Sequence, residues 1–151
     1  MAGSRVEGLE DLAKALREMP KDVRQNGLRA GLRAGAREIQ KEAQGRAPVD
    51  TGRMRDNVYI KRIRELVTEL SEGWFVGVRM GPKRRKDKAT GKVTKDYSND
   101  AWYWRFVEFG TRHIPARPFM RPAFEAKKEA AVEAIAAKLK QRIEAWGKRK
   151  S

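Results

Sequence analysis

Cysteine is absent from this chain. That excludes a disulfide framework, thiolate catalysis and thiolate metal sites. Histidine occurs once, at position 113. A single imidazole has no second His or Cys to complete a dyad, and a metal site built on it would need carboxylates that no spacing supplies. The serines, at 4, 71, 98 and 151, stand in no nucleophile motif. No glycine-rich phosphate loop ends in Lys-Ser/Thr, and no GxGxxG follows a strand pattern. Long apolar runs are missing too, far short of the roughly 20 residues that span a bilayer. The opening stretch MAGSRVEGLEDLAKAL carries acids where a secretory leader is apolar. These absences lead to the expectation of a non-enzymatic protein without cofactor, metal or membrane segment.

What the sequence has in excess is positive charge. Thirty-five Lys and Arg face 20 Asp and Glu, a net charge of +15 over 151 residues. The excess is uneven. Residues 1–50 carry ten bases and eight acids, residues 51–100 thirteen and seven, residues 101–151 twelve and five. A basic balance of this size suits a polyanionic partner or a place near one, and says nothing about specificity. Solubility with a basic face is the plainer alternative.

The length suits one domain over 1–151. Ser4-Arg5-Val6-Glu7 fits a capping box, and Leu9, Leu12, Leu16 and Met19 follow at helical spacing up to Pro20. A second helix is predicted from Lys21 to Gln44 through the four-residue repeat GLRAGLRAGARE. At 3.6 residues per turn such a repeat makes slowly drifting stripes. Leu28, Leu32, Ala36, Ile39 and Ala43 form an apolar face. Gly27, Gly31 and Gly35 form a smooth flank for close packing, in the same subunit or against a neighbour. Arg29, Arg33, Arg37 and Lys41 form a basic stripe, either solvated or set against an acidic neighbour or phosphate.

Ala47 to Gly52 reads as turn. Strands are predicted over 57–70 and 74–80. The stretch 81–100 has seven bases and three acids and reads as a basic loop, or a hairpin extension tipped at Thr90-Gly91. AWYWRFVEF, from Ala101 to Phe109, fits a strand or a short helix buried on at least one face; as a strand, Trp102, Trp104 and Phe106 share a side. Pro115, Pro118 and Pro122 fall within eight residues, and Pro122 suits the first turn of a long last helix ending near Trp146. There Val132, Ile135, Leu139, Ile143 and Trp146 form an apolar stripe, followed by a frayed basic tail over 147–151. The fold class is α+β: a small antiparallel sheet of about three to four strands, packed by two N-terminal helices and one long C-terminal helix.

Two segments carry a family pattern. APVDTGRMRDNV (Ala47–Val58) and YWRFVEFGTRHIPARPFMRPAFE (Tyr103–Glu125) resemble the paired motifs of the tail-completion, or head–tail junction, proteins of lambda-like siphophages and their prophages. The likeness covers roughly residues 5–145. Met54 stands where Leu is usual, Trp104 replaces a small residue, and the basic stretch 81–100 is longer than usual. The resemblance implies a structural protein of the virion neck, assembled in the host cytoplasm. It implies a homo-oligomeric ring, six-fold favoured and twelve-fold possible, between the head connector or stopper and the tail terminator or tail tube. Genomic DNA crosses such a channel. The alternative is a basic nucleic-acid-binding protein without catalytic activity.

Such a protein acts by contacts. The basic stripe Arg29, Arg33 and Arg37 is one expected contact surface. Asp50, Thr51 and Arg53 form a second, with Asp50 capping its own turn and Gly52 supplying a positive φ. Glu108 and Thr111, with Arg117, Phe119 and Arg121, form a third. There Glu108 is expected to pair with Arg117 and Arg121, within or between subunits, and Phe119 to anchor in its own core or a neighbour's. Lys83, Arg84, Arg85, Lys86 and Lys88 are expected near nucleic acid.

Overall fold

A computed structural model describes residues 8–150, apart from the side chains of Leu9 and Lys150. The capping box over 4–7 lies outside the described residues. The elements run α1 (Leu9–Glu18), α2 (Lys21–Arg46), α3 (Arg53–Asn57), β1 (Val58–Ile63), a 3-10 turn (Arg64–Leu66), β2 (Gly73–Val78), β3 (Lys83–Lys86), β4 (Val93–Asp96), α4 (Trp104–Phe109) and α5 (Met120–Lys150). The class is α+β. Among the described residues, four strands divide between two two-stranded antiparallel ladders, β1 with β2 and β3 with β4.

The chain forms two compact units. One comprises residues up to 39, 60–75 and 126 onward; the other comprises Gln40–Tyr59 and Val76–Glu125.

In the first unit α2 meets α5 through the glycine flank. A Cβ on Gly31 would lie 3.1 Å from Leu139 Cγ, and one on Gly35 would lie 2.7 Å from Ile135 Cγ1 and 2.9 Å from the Ala131 carbonyl oxygen. Gly27 lies against Leu139 and Arg142. Rising numbers on α2 match falling numbers on α5, so the two helices run antiparallel. The glycines thus serve a close approach within the same chain. Leu139 and Ala131, from the predicted helix, and Ala36, from the predicted apolar face, are buried there, whereas Val132 is exposed.

This packing separates glycines that look alike in sequence. Gly35→Ala gains roughly 0.8–1 kcal/mol of helix propensity but overpacks by about 1–3 kcal/mol, so a net loss of stability is expected. Gly45, in the same helix, has nothing within 4 Å of a Cβ, so Gly45→Ala should stabilise by roughly 0.8 kcal/mol. Thermal melts of the two variants should move in opposite directions; a shift of the same sign in both would refute the packing account.

The strand predicted to reach Leu70 ends at Ile63. The Thr68 hydroxyl accepts the Ser71 amide (3.0 Å) and the Ser71 hydroxyl donates to the Leu66 carbonyl (2.7 Å), which closes a turn where an extended strand would continue. Arg62 and Glu72 pair through both guanidinium and carboxylate forks, with the Glu72 side chain nearly buried. Lys21 binds Glu69, and this hydrogen bond holds the Glu69 carboxyl below the usual carboxylate range. A depressed carboxyl contributes stability above its ordinary pKa and loses it as pH falls through the lowered value.

The second unit has its own core: Ala43, Ala47, Met54, Val58, Val78, Ala101, Phe119 and Ala123, with Val76, Tyr103, Trp104, Val107 and Met120 packed against them. Asn57 holds it together from the polar side. Its Nδ2 donates to the carbonyls of Arg53 (2.8 Å) and Asn99 (2.7 Å), and its own carbonyl accepts the Arg79 amide (2.9 Å). A buried amide satisfied in this way fixes the end of α3 against two distant segments.

Candidate functional site

The proline-rich segment is organised by α4. AWYWRFVEF folds as a turn and a short helix rather than a strand, which reverses the sidedness that a strand would give. Glu108 turns inward and is 6% exposed. Its carboxylate accepts the amides of Phe119 (2.7 Å), Met120 (3.0 Å) and Arg121 (3.1 Å). Those are the unpaired donors at the start of α5, where a carboxylate is also favoured by the helix dipole. The neighbouring Val107 carbonyl accepts the Arg117 amide (2.7 Å).

The expected pairing of Glu108 with Arg117 and Arg121 within the chain is therefore corrected. Both carboxylate oxygens are committed to backbone amides, and no ion pair to either arginine occurs among the described residues. The prolines now have a reason. Residues 115, 118 and 122 carry no amide hydrogen, and the amides of 117, 119, 120 and 121 are taken by residues 107 and 108. The helix begins at Met120, two residues earlier than Pro122, which occupies a first-turn position where no donor is needed.

The return from α4 needs Gly110. It adopts φ 74 and ψ 177, and a Cβ there would meet Ala116 N at 2.9 Å and Ile114 O at 3.0 Å. The Thr111 amide donates to the Ile114 carbonyl (2.8 Å), and the Thr111 hydroxyl accepts the amides of Ile114 (3.0 Å) and His113 (3.2 Å). Thr111 thus shapes its own turn, and His113 is exposed beside it.

Of the remaining predicted contact residues, Phe119 is fully buried and fills its own core. Arg117 and Arg121 are exposed. Asp50 and Thr51 are exposed in a bend, but no side chain caps α3, whose N-cap is Gly52 at φ 73. The expectation that Asp50 caps this turn is corrected, because the left-handed glycine lets the chain enter the helix without a side-chain acceptor. Arg53 is exposed at the first position of α3. Arg33 and Arg37 are exposed on α2, while Arg29 is half-buried and its Nε has no hydrogen-bond partner. Lys83, Arg84, Arg85, Lys86 and Lys88 are all exposed in and beside the β3–β4 hairpin.

Sequence reasoning missed the exposed aromatics of α4 and of the turn before it. Trp102 is 61% exposed, Phe106 46% and Phe109 65%. The Trp102 and Phe106 rings meet edge to face, with centroids 5.9 Å apart. These positions fall at i, i+4 and i+7, so a helical reading of the segment would have placed them on one face. Arg105 lies between them in sequence and stacks over Trp104 at 5.8 Å.

Among the described residues, no group of three or more His, Cys, Asp or Glu could hold a metal ion, and no helix is long and apolar enough to cross a membrane. What α4 presents is a surface suited to contact. Comparison with curated proteins and with solved structures gives no match. A family model does match, over residues 10–110, with the description "Bacteriophage HK97-gp10, putative tail-component". The match takes in the Ala47–Val58 motif and α4 and stops at Gly110. The chain belongs to the HK97-gp10-like family of bacteriophage tail components.

Proposed function

We propose that this chain is a non-enzymatic structural part of the virion neck, a homo-oligomeric ring joining the head connector or stopper to the tail terminator or tail tube. The observation that carries the reading is the set of exposed aromatic side chains in and just before α4, Trp102, Phe106 and Phe109. Contiguous exposed aromatics on a small protein mark an interaction surface, and aromatic side chains supply most hot spots in interfaces. Family membership as a tail component supports a role by contact. Six-fold symmetry is favoured over twelve-fold because tail tubes in the resembled phages are six-fold, and DNA would pass through the ring.

The test is sedimentation of the purified protein. The wild type should run as a closed oligomer, alone or with its connector or tail partner. Trp102→Ser, Phe106→Ser and Phe109→Ser together should yield a monomer with an almost unchanged melting temperature, since all three side chains are exposed. A wild type that stays monomeric with every neck partner, or a triple variant that still assembles, would remove the basis of this reading. Tight DNA binding by a stable monomer would favour the second reading, a basic nucleic-acid-binding protein, which the net charge of +15 supports.

A further inference from the structure

The β3–β4 hairpin is exposed at every strand residue, on both faces. Its register pairs Lys83 with Asp96, Arg84 with Lys95, Arg85 with Thr94 and Lys86 with Val93. Residues directly opposite share a face, and successive residues alternate. One face therefore holds Lys83, Arg85, Thr94 and Asp96. The other holds Arg84, Lys86, Val93 and Lys95.

The two faces differ in charge. On the first, Asp96 sits among Lys83 and Arg85. Its carboxyl is held below the usual carboxylate range by the Ser98 hydroxyl and amide, with these two cations adding to the effect. On the second there is no acid. Arg84 and Lys95 lie directly opposite each other, a like-charge pair that destabilises a ladder. No core packing offsets this, and a two-stranded hairpin alone is marginal in water. An anion between these cations would remove the repulsion.

We propose that the hairpin lays this second face, Arg84, Lys86 and Lys95 with Tyr97, along the phosphate backbone of duplex DNA. A two-stranded ribbon fits the major groove. Arg84 and Lys86 stand about 6.8 Å apart along the strand, close enough for both to meet phosphates of one DNA strand, which carries a charge per roughly 3.4 Å of helix axis. Tyr97, the first residue past β4, is 58% exposed, and tyrosine hydroxyls also bond phosphate oxygens. Contacts of this kind position a duplex without reading its sequence, as a protein through which any genome segment passes requires. The inference rests on the proposed nearness to DNA but not on ring formation.

The experiment compares two double variants with equal net charge. Affinity for a labelled mixed-sequence duplex is measured by fluorescence anisotropy across a salt series. Arg84→Gln with Lys86→Gln should weaken binding by roughly 10–60-fold at 0.1 M salt and reduce the log–log salt slope by about 1.8. Lys83→Gln with Arg85→Gln should stay within about threefold of wild type, the slope falling by much less than one contact's worth. Both should melt with the wild type, because every altered residue is exposed. Equal losses in the two variants, no loss in either, or tighter binding to polyglutamate than to the duplex each overturn the inference. The same pair of variants is also made in the Trp102→Ser, Phe106→Ser, Phe109→Ser background. A facial difference that persists in a protein unable to assemble supports the hairpin contact even if the ring reading fails.

Discussion

Glu108→Ala should lower stability by about 3 kcal/mol, and the melting temperature by roughly 6–12 °C. The carboxylate accepts three backbone amides at the start of α5 from a position 6% exposed. Charge-assisted hydrogen bonds contribute about 1.5–3 kcal/mol each, and leaving a buried donor unmet costs about 1–3 kcal/mol. The full sum is not reached, because Met120 and Arg121 are less buried than Phe119 and water can replace part of what is lost. Glu108→Gln keeps one acceptor oxygen but turns an NH2 group toward amide donors, so it should recover little. Arg117→Ala and Arg121→Ala should change stability by less than about 0.5 kcal/mol, as exposed positions do. If either arginine variant is as costly as Glu108→Ala, the carboxylate is held by an ion pair and the backbone account is wrong. Hydrogen exchange gives an independent reading: the amides of 119–121 should lose protection first in Glu108→Ala.

Gly110→Ala should be of similar or greater severity, about 3–5 kcal/mol. Two costs combine. The backbone at φ 74 and ψ 177 belongs to a region essentially confined to glycine, at about 1–3 kcal/mol for other residues. The added methyl group would also meet Ala116 N at 2.9 Å and Ile114 O at 3.0 Å, backbone atoms that cannot swing aside as a flexible side chain can. Gly91 is the control. It too has positive φ, at the tip of the hairpin, but nothing lies within 4 Å of its Cβ. Gly91→Ala should cost only the conformational part, about 1 kcal/mol. Denaturant melts that rank the two glycines equally would mean that the close approach of residues 114–116 contributes nothing.

Where local pattern decides structure, the sequence was readable. The four-residue repeat of α2 and the spacing of α5 indicated both long helices, and the glycines' close approach was one of two foreseen options. The Thr90-Gly91 tip of the hairpin was also foreseen: the Gly91 amide reaches back to the Asp87 carbonyl (2.9 Å), and φ is 68. Reading failed where a distant partner decides. AWYWRFVEF is so dense in aromatics that periods of two and of 3.6 both fit it. The helix is selected by tertiary contacts, with Glu108 committed to amides 11 to 13 residues away. Backbone donors do not appear in a one-letter string, so the acid was matched to the nearest visible cations. Helix α3 was missed for a related reason. It has five residues and enters through a left-handed glycine with no capping side chain, which leaves no start signal. As for the contact surface, the exposed arginines were visible, but the outward turn of Trp102, Phe106 and Phe109 followed only from the helical form of α4.

The fastening of α5 to α4 has a mechanical side. A helix with a free end frays one hydrogen bond at a time, each loss making the next easier. At the start of α5, the amides of Arg117, Phe119, Met120 and Arg121 are all anchored on two adjacent residues, Val107 and Glu108. Those bonds carry a pull in parallel and must yield together. Pro115, on the return from α4, and Pro118, between the Arg117 and Phe119 amides, limit the slack there, because each has its φ fixed by its ring. A tail component that transmits force between neighbours would have here a clasp that holds until it releases in one step.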